Sequence, residues 1–199
     1  FWIRDFAMSL ESGLIRAEEV THALRLTLTL QAEEDRHLPS GSLVPRGAIA
    51  DHITFGGVPI FYPGTVDDAE HQGGRWGYYP SLDDHYYVIE MARHAIHREG
   101  RDDLLTAEVG GMHLIDRLAL AFSVPPVRSD TGLVWCDEAR RGVSFGFTDT
   151  VIHTGDLLFC SLLRHRAAGR LADFSRRLGR DGEAEAYERM QRTLSKQIP

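Results

Sequence analysis

The chain has 199 residues, 43% of them hydrophobic and 26% charged, which is enough apolar material for one packed core and excludes a disordered tail. Lys and Arg number 22 against 29 Asp and Glu, a formal net charge of -7 with no basic run, so neither nucleic acid nor an anionic membrane is an expected partner. No apolar stretch reaches the roughly 20 residues of a membrane-spanning helix, and Cys136 and Cys160 read as two free thiols, which fits a reducing compartment.

The apolar periodicity is helical nearly throughout. A first helix is expected from about Asp5 to Ile15, with Phe6, Leu10 and Leu14 on one face, and a second from about Ala17 to Glu34 along Val20, Leu24 and Leu28. From His37 to Leu82 the periodicity lapses into a segment rich in Gly, Pro and aromatic residues. Loops this long are usually functional, and this one reads as an ordered lining with one short hairpin. Within it, Leu43-Val44-Pro45-Arg46-Gly47 matches a thrombin cleavage sequence and reads as coincidence.

Ser81 and Asp84 form a capping-box pattern for a third helix, with Val88, Met91, Ala92, Ala95 and Ile96 as its apolar stripe and Gly100 as its stop. A fourth helix is expected from Asp102 to Phe122, ended by Pro125-Pro126, with Gly110-Gly111 inside it marking close packing. After a second loop, a fifth runs from Thr148 or Asp149 to Gly179 with a kink near Ala168-Gly169, and a sixth from Asp181 to about Lys196. Alternating short and long connections describe an all-α fold of stacked helical hairpins, either an α/α toroid or an array.

Three segments carry candidate chemistry. Trp2, Arg4 and Asp5 open the first helix, where an aromatic face can stack on a sugar ring and a charged pair can bond vicinal hydroxyls; as a plain alternative, Asp5 caps the helix. Trp76, Tyr78 and Asp83 close the long loop, and Asp83 with Asp84 equally fits an ordinary acidic first turn. Trp135, Asp137, Glu138 and Arg141 lie in the second loop, where burial against the Trp would raise one carboxyl and an Arg would hold the other charged. A surface turn with a local ion pair is the bland reading there. Glu90, His94 and His97 share a helix face but match no zinc or di-iron spacing, so no metal or other cofactor is expected.

Taken in order, these segments resemble the six-hairpin, (α/α)6-barrel glycosidases, above all the glucoamylases. Trp2-Ile3-Arg4-Asp5 resembles their Trp-x-Arg-Asp, and Gly57-Val58-Pro59-Ile60-Phe61 with Trp76-Gly77 and Asp83 is similar to their Gly-Glu-Pro-Lys-Phe and Trp-Gly segments. Aligned on Trp135, the glucoamylase acid falls on Cys136, whereas Asp137 with Arg141 fits the version in trehalases and processing α-glucosidases. The resemblance implies that residues 1–199 form a single partial catalytic domain, about half a barrel, which requires the missing second half and the general base carried there. It implies hydrolysis of O-glycosidic bonds in an oligosaccharide or polysaccharide, exo-acting on α-glucosides or related substrates and inverting, with Asp137 as general acid and Glu138 as alternate. Trp2, Arg4, Asp5, Trp76, Tyr78, Asp83, Trp135 and Arg141 would bind substrate. A stand-alone helical binding module, or another toroid enzyme such as a polysaccharide lyase or sugar epimerase, is the competing expectation.

Overall fold

The computed structural model describes residues 1–39, 41–62, 78–139, 141 and 153–198. Within them lie six α-helices: α1 Ile3–Ser9, α2 Ala17–Thr29, α3 Asp84–Glu99, α4 Leu114–Ser123, α5 Leu158–Arg177 and α6 Asp181–Ser195. Four two-residue antiparallel pairs accompany them: β1 Arg36–His37 with β2 Leu43–Val44, β3 His52–Ile53 with β4 Pro59–Ile60, β5 Glu108–Val109 with β6 Met112–His113, and β7 Trp135–Cys136 with β8 Gly155–Asp156. The fold is thus mostly helical rather than strictly all-α.

The organising element is α3, which packs against α1, α2, α4 and α5. Its sequence explains the position. From Asp83 to Ala92 every residue is buried, so the helix lacks a solvent face over its first turns. A helix that is buried all round belongs in the middle of a core, and Val88, Ile89, Met91, Ala92, Ala95 and Ile96 fill that core with Leu24, Leu28, Leu118 and Leu171. A smaller cluster of Ala32, Val44, Ala48, Ala50 and Phe61 holds the first loop to the body. The Leu43–Gly47 segment is integral to that cluster, since Val44 is fully buried and Gly47 donates its N–H to Ala32.

Several expected boundaries move, each for a local reason. The first helix ends at Ser9 and continues only as one tight turn, Leu10–Ser12, stopped by Gly13 in the left-handed region. The second ends at Thr29, because Gln31 turns inward and donates to the Gly47 and Arg117 carbonyls. Its start is held by the Glu19 carboxylate, which accepts from the Arg16 backbone N–H at 3.0 Å. The described part of the long loop carries two hairpins rather than one.

The expected fourth helix is broken. Asp102–Thr106 forms a short 3-10 turn, Gly110 and Gly111 both take positive φ to turn the β5–β6 hairpin, and only Leu114 onwards is α-helical. Arg117 holds this hairpin by donating from Nη2 to the Gly110 carbonyl at 2.6 Å. The expected Ser81–Asp84 capping box does not form: the helix begins at Asp84 with Asp83 at its N-cap, Ser81 Oγ is buried without a partner, and the Asp84 carboxylate accepts from Arg4. The fifth helix starts at Leu158, not Thr148 or Asp149. The expected start lies outside the described residues, and Gly155, expected within the helix, is in β8 with φ +88°. It runs through Gly169 as one helix, where a side chain would collide with Gln191 of α6. The small residue there permits close α5–α6 packing.

Two glycines separate crowding from strain. Gly47 has φ +89° and an added Cβ would stand 2.6 Å from Leu120 Cγ, whereas Gly100 has φ +63° and open space around it. Gly100→Ala should cost about 1 kcal/mol from backbone strain alone. Gly47→Ala should cost about 3 kcal/mol, because overpacking adds to the same strain. Urea unfolding of both variants checks the order, and equal losses would show that Leu120 yields freely.

Candidate active site

The candidate site is built around the N-terminus of α3. Arg4 is 3% exposed and its guanidinium points inward from α1. Its Nε donates to Asp83 Oδ2 at 2.6 Å and its Nη2 to Asp83 Oδ1 at 3.1 Å, a two-pronged grip on one carboxylate. The same Nη2 also lies 3.2 Å from Asp84 Oδ2 and 3.5 Å from Asp51 Oδ1. Three buried carboxylates therefore surround one buried guanidinium.

That count has an electrostatic consequence. Burial pushes the Asp84 carboxyl well above the usual range, and the neighbouring Asp83 charge adds to the effect. Burial also raises Asp83, although the Arg4 hydrogen bond opposes it. Asp84 Oδ1 is buried with no hydrogen-bond partner, while its Oδ2 faces Arg4. A proton on Asp84 removes one excess negative charge without disturbing the Arg4 contacts. Burial opposes the Arg4 charge, but Asp84, Asp83 and Asp51 together outweigh it and reinforce the charged form.

From this cluster a chain of contacts leads to the surface. Asp51 Oδ2 pairs with His52 Nδ1 at 2.8 Å, and the His52 ring lies against Trp2 with centroids 4.1 Å apart. Trp2 remains 53% exposed, although an isolated bridge pairs its backbone with His52. Asp5 is exposed on α1 while Arg4 is buried, so the expected Arg-Asp pair is divided between interior and surface. Asp83 is fully buried and bonded to Arg4.

The second loop approaches the cluster through Cys136, which lies near Cys160 of α5. Burial pushes the Cys160 thiol well up, with Asp83 and Cys136 as the next contributors. Cys136 ends β7 and donates its Sγ–H to the His153 carbonyl at 3.0 Å. The following residue, Asp137, is half-buried. Trp135 is half-buried, its ring covered by Arg128 at 4.6 Å from the centroid, and Arg128 is itself fixed by Asp156. Glu138 is exposed and accepts from Arg141 Nη1 at 2.7 Å. Tyr78 ties the loops together, since its N–H donates to the Arg141 carbonyl and its own carbonyl accepts from Leu43. Trp76 lies outside the described residues.

Sequence reasoning missed Asp51 and His52. They sit in a loop without periodicity, and only the tertiary approach of that loop to α1 gives them partners. His85 was also missed. It is fully buried, its Nε2 accepting from the Ile49 N–H and its Nδ1 facing the Leu82 carbonyl, which fits a neutral ring with the proton on Nδ1. Burial lowers its pKa to about 4. Glu90 is gripped by Arg93, Arg166 and Arg170, and His97 faces Asp173, so the Glu90-His94-His97 face serves ion pairs. Among the described residues no group of His, Cys, Asp and Glu is arranged to hold a metal ion. No described helix is long and apolar enough to cross a membrane.

No protein-family model matches the chain, and no curated protein matches it.

The cluster sets the pH response. With its pKa raised in the folded state, Asp84 contributes stability below its unfolded value near 4 and loses it as pH rises. Asp84→Asn should therefore be more stable than the parent at pH 8, with the gain vanishing below pH 4. His85 acts in the opposite sense: its stability is present above pH 6.5 and is lost as pH falls towards about 4. Chemical denaturation across pH 3–9 tests both, and a pH-independent gain for Asp84→Asn would rule out a raised Asp84. Arg4→Ala should cost about 3–5 kcal/mol, because it leaves buried carboxylates uncompensated.

Proposed function

We propose that this chain belongs to a carbohydrate-active enzyme that hydrolyses O-glycosidic bonds, exo-acting on α-glucosides or related oligosaccharides by an inverting, two-carboxylate route. The observation that carries the reading is the exposed Trp2 ring, packed against His52, which in turn pairs with Asp51 of the buried Arg4–Asp51–Asp83–Asp84 cluster. A fixed aromatic face with acidic groups around it suits a sugar, whose C–H face stacks while its hydroxyls donate to carboxylates. In this reading Asp5, exposed beside Trp2, accepts from substrate hydroxyls, and the buried Arg4 and Asp83 position α1 rather than touch sugar.

Asp137 is the proposed general acid. It is half-buried, follows the β7 strand fixed by β8, and has beside it a loop anchored through Arg141 to Tyr78. A carboxyl on such a fixed strand end can protonate a leaving oxygen. Glu138 is committed to Arg141 at the surface and is the alternate. Inversion further requires a base about 6.5–9.5 Å from the acid, with room for a water. The proposal assigns that base to the second half of an (α/α)6 toroid, of which the helical hairpins here are the first half. In this reading Trp135 and Tyr78 contact the substrate.

Release of glucose from maltooligosaccharides, measured with the catalytic domain entire, tests the assignment. Asp137→Asn should lower kcat by roughly 10²–10⁴-fold with substrate binding retained, while Glu138→Gln should change it little. Near-normal turnover in Asp137→Asn overturns Asp137 as the acid, and a dead Glu138→Gln transfers the role. Trp2→Ala should raise KM more than it lowers kcat.

A further inference from the structure

Four arginines are buried among the described residues: Arg4, Arg117, Arg141 and Arg164. Three of them have a carboxylate partner, Arg4 with Asp83, Arg117 with Glu33 and Arg141 with Glu138. Arg164 has none among the described residues. It is 7% exposed, its Nη1 donates to the Phe122 carbonyl at 3.1 Å, its guanidinium stacks on the Phe122 ring at 4.1 Å, and it stands beside the Tyr86 hydroxyl. A desolvated cation normally acquires an anion, because burial without one is costly.

Arg164 also lines an open cleft of about 360 Å³ between α6 and the loop after α4. Ser129 and Asp130 form one wall, Arg189 and Thr193 another, and Ala186, Met190 and Leu194 supply an apolar floor. Arg164 Nη1 is taken by the Phe122 carbonyl, and the residue lines this space. We propose that the cleft binds a small monocarboxylate with an apolar body, its carboxylate on Arg164 and its body over Ala186, Met190 and Leu194.

The charge balance selects one negative charge. Arg189 is taken up by Glu185 at 3.6 Å and Asp130 stands on the wall, so Arg164 is the one lining cation with no carboxylate in contact among the described residues. A monoanion neutralises what remains, whereas a dianion would face Asp130 with excess charge. The guanidinium fork matches a carboxylate in two parallel hydrogen bonds, and Arg189, 61% exposed, stands at the rim. The floor belongs to α6, on the far side of α5 from α3, so the site is separate from the acid cluster and does not depend on the proposed hydrolase activity.

The probes are hexanoate, hexanamide and inorganic phosphate, titrated into the purified protein and followed by calorimetry and by the arginine Nε–H resonances. Hexanoate should bind saturably and shift the Arg164 signal, with hexanamide and phosphate weaker by roughly tenfold or more. Arg164→Met should weaken hexanoate by roughly ten- to a hundredfold. Ala186→Phe fills the floor while leaving Arg164 in place, and should abolish binding even if Arg164→Met folds poorly. Equal binding of hexanamide would overturn the role of charge, and phosphate binding as tightly as hexanoate would overturn the monocarboxylate. Unchanged affinity in Ala186→Phe would overturn the location, and absence of saturation in the millimolar range would overturn the site.

Discussion

One guanidinium joins the parts of the molecule that matter most. Arg4 reaches from α1 to Asp83 and Asp84 at the head of α3 and to Asp51 in the first loop, so three segments distant in sequence share one buried cation. A buried ion pair is weak evidence of net stability, because desolvation offsets much of its Coulomb attraction. What it secures is position. Without Arg4 the carboxylates at the head of α3 would be buried with no countercharge, so packing α3 in the centre of the core requires α1 to be present and correctly oriented. The same contact fixes Asp51, which fixes His52, which supports Trp2.

The arrangement also places tension where function is proposed. Three carboxylates around one guanidinium leave negative charge that Asp84 offsets by holding a proton more strongly than a free carboxyl does. His85, one residue on, is held neutral by burial in the same turn. Two adjacent groups thus shift in directions that both favour the neutral form, as expected where solvent is excluded. The surface above this neutralised interior carries the exposed acid Asp5 and the aromatic Trp2. Rigid support below and accessible polar groups above is the division that a binding site needs.

Glycine illustrates how identical residues serve different ends. Gly110 and Gly111 look from the sequence like a close-packing pair within a helix, yet both take positive φ and turn a hairpin whose carbonyls Arg117 then binds. Gly169 looks like a kink, yet it stays helical and lets Gln191 approach, with the Gln191 side chain donating to His165. Helical periodicity on either side of these glycines is the same in both cases. The partner decides: an arginine that can take up two free carbonyls stabilises a turn, and an opposing helix rewards a missing side chain.

Much of the helical skeleton was legible because apolar residues at three- and four-residue spacing have one low-cost solution, a helix with its stripe inward. α2, α3 and α6 follow that spacing: α3 stops at Gly100 and α6 beside Lys196 as expected, and only the end of α2 is shifted by several residues, where Gln31 turns inward. Trp2, Asp83 and Asp137 were legible as candidate residues through their chemical type and order. Composition and charge by themselves determined that the chain packs a core and carries acidic character. Tertiary structure decided the rest. It buried Arg4 and left Asp5 outside, drew Asp51 and His52 to the first helix, and gave Glu138 to Arg141. Local sequence encodes what each segment prefers, whereas the fate of a charge depends on which distant group reaches it once water has been excluded, and only the folded chain sets that distance.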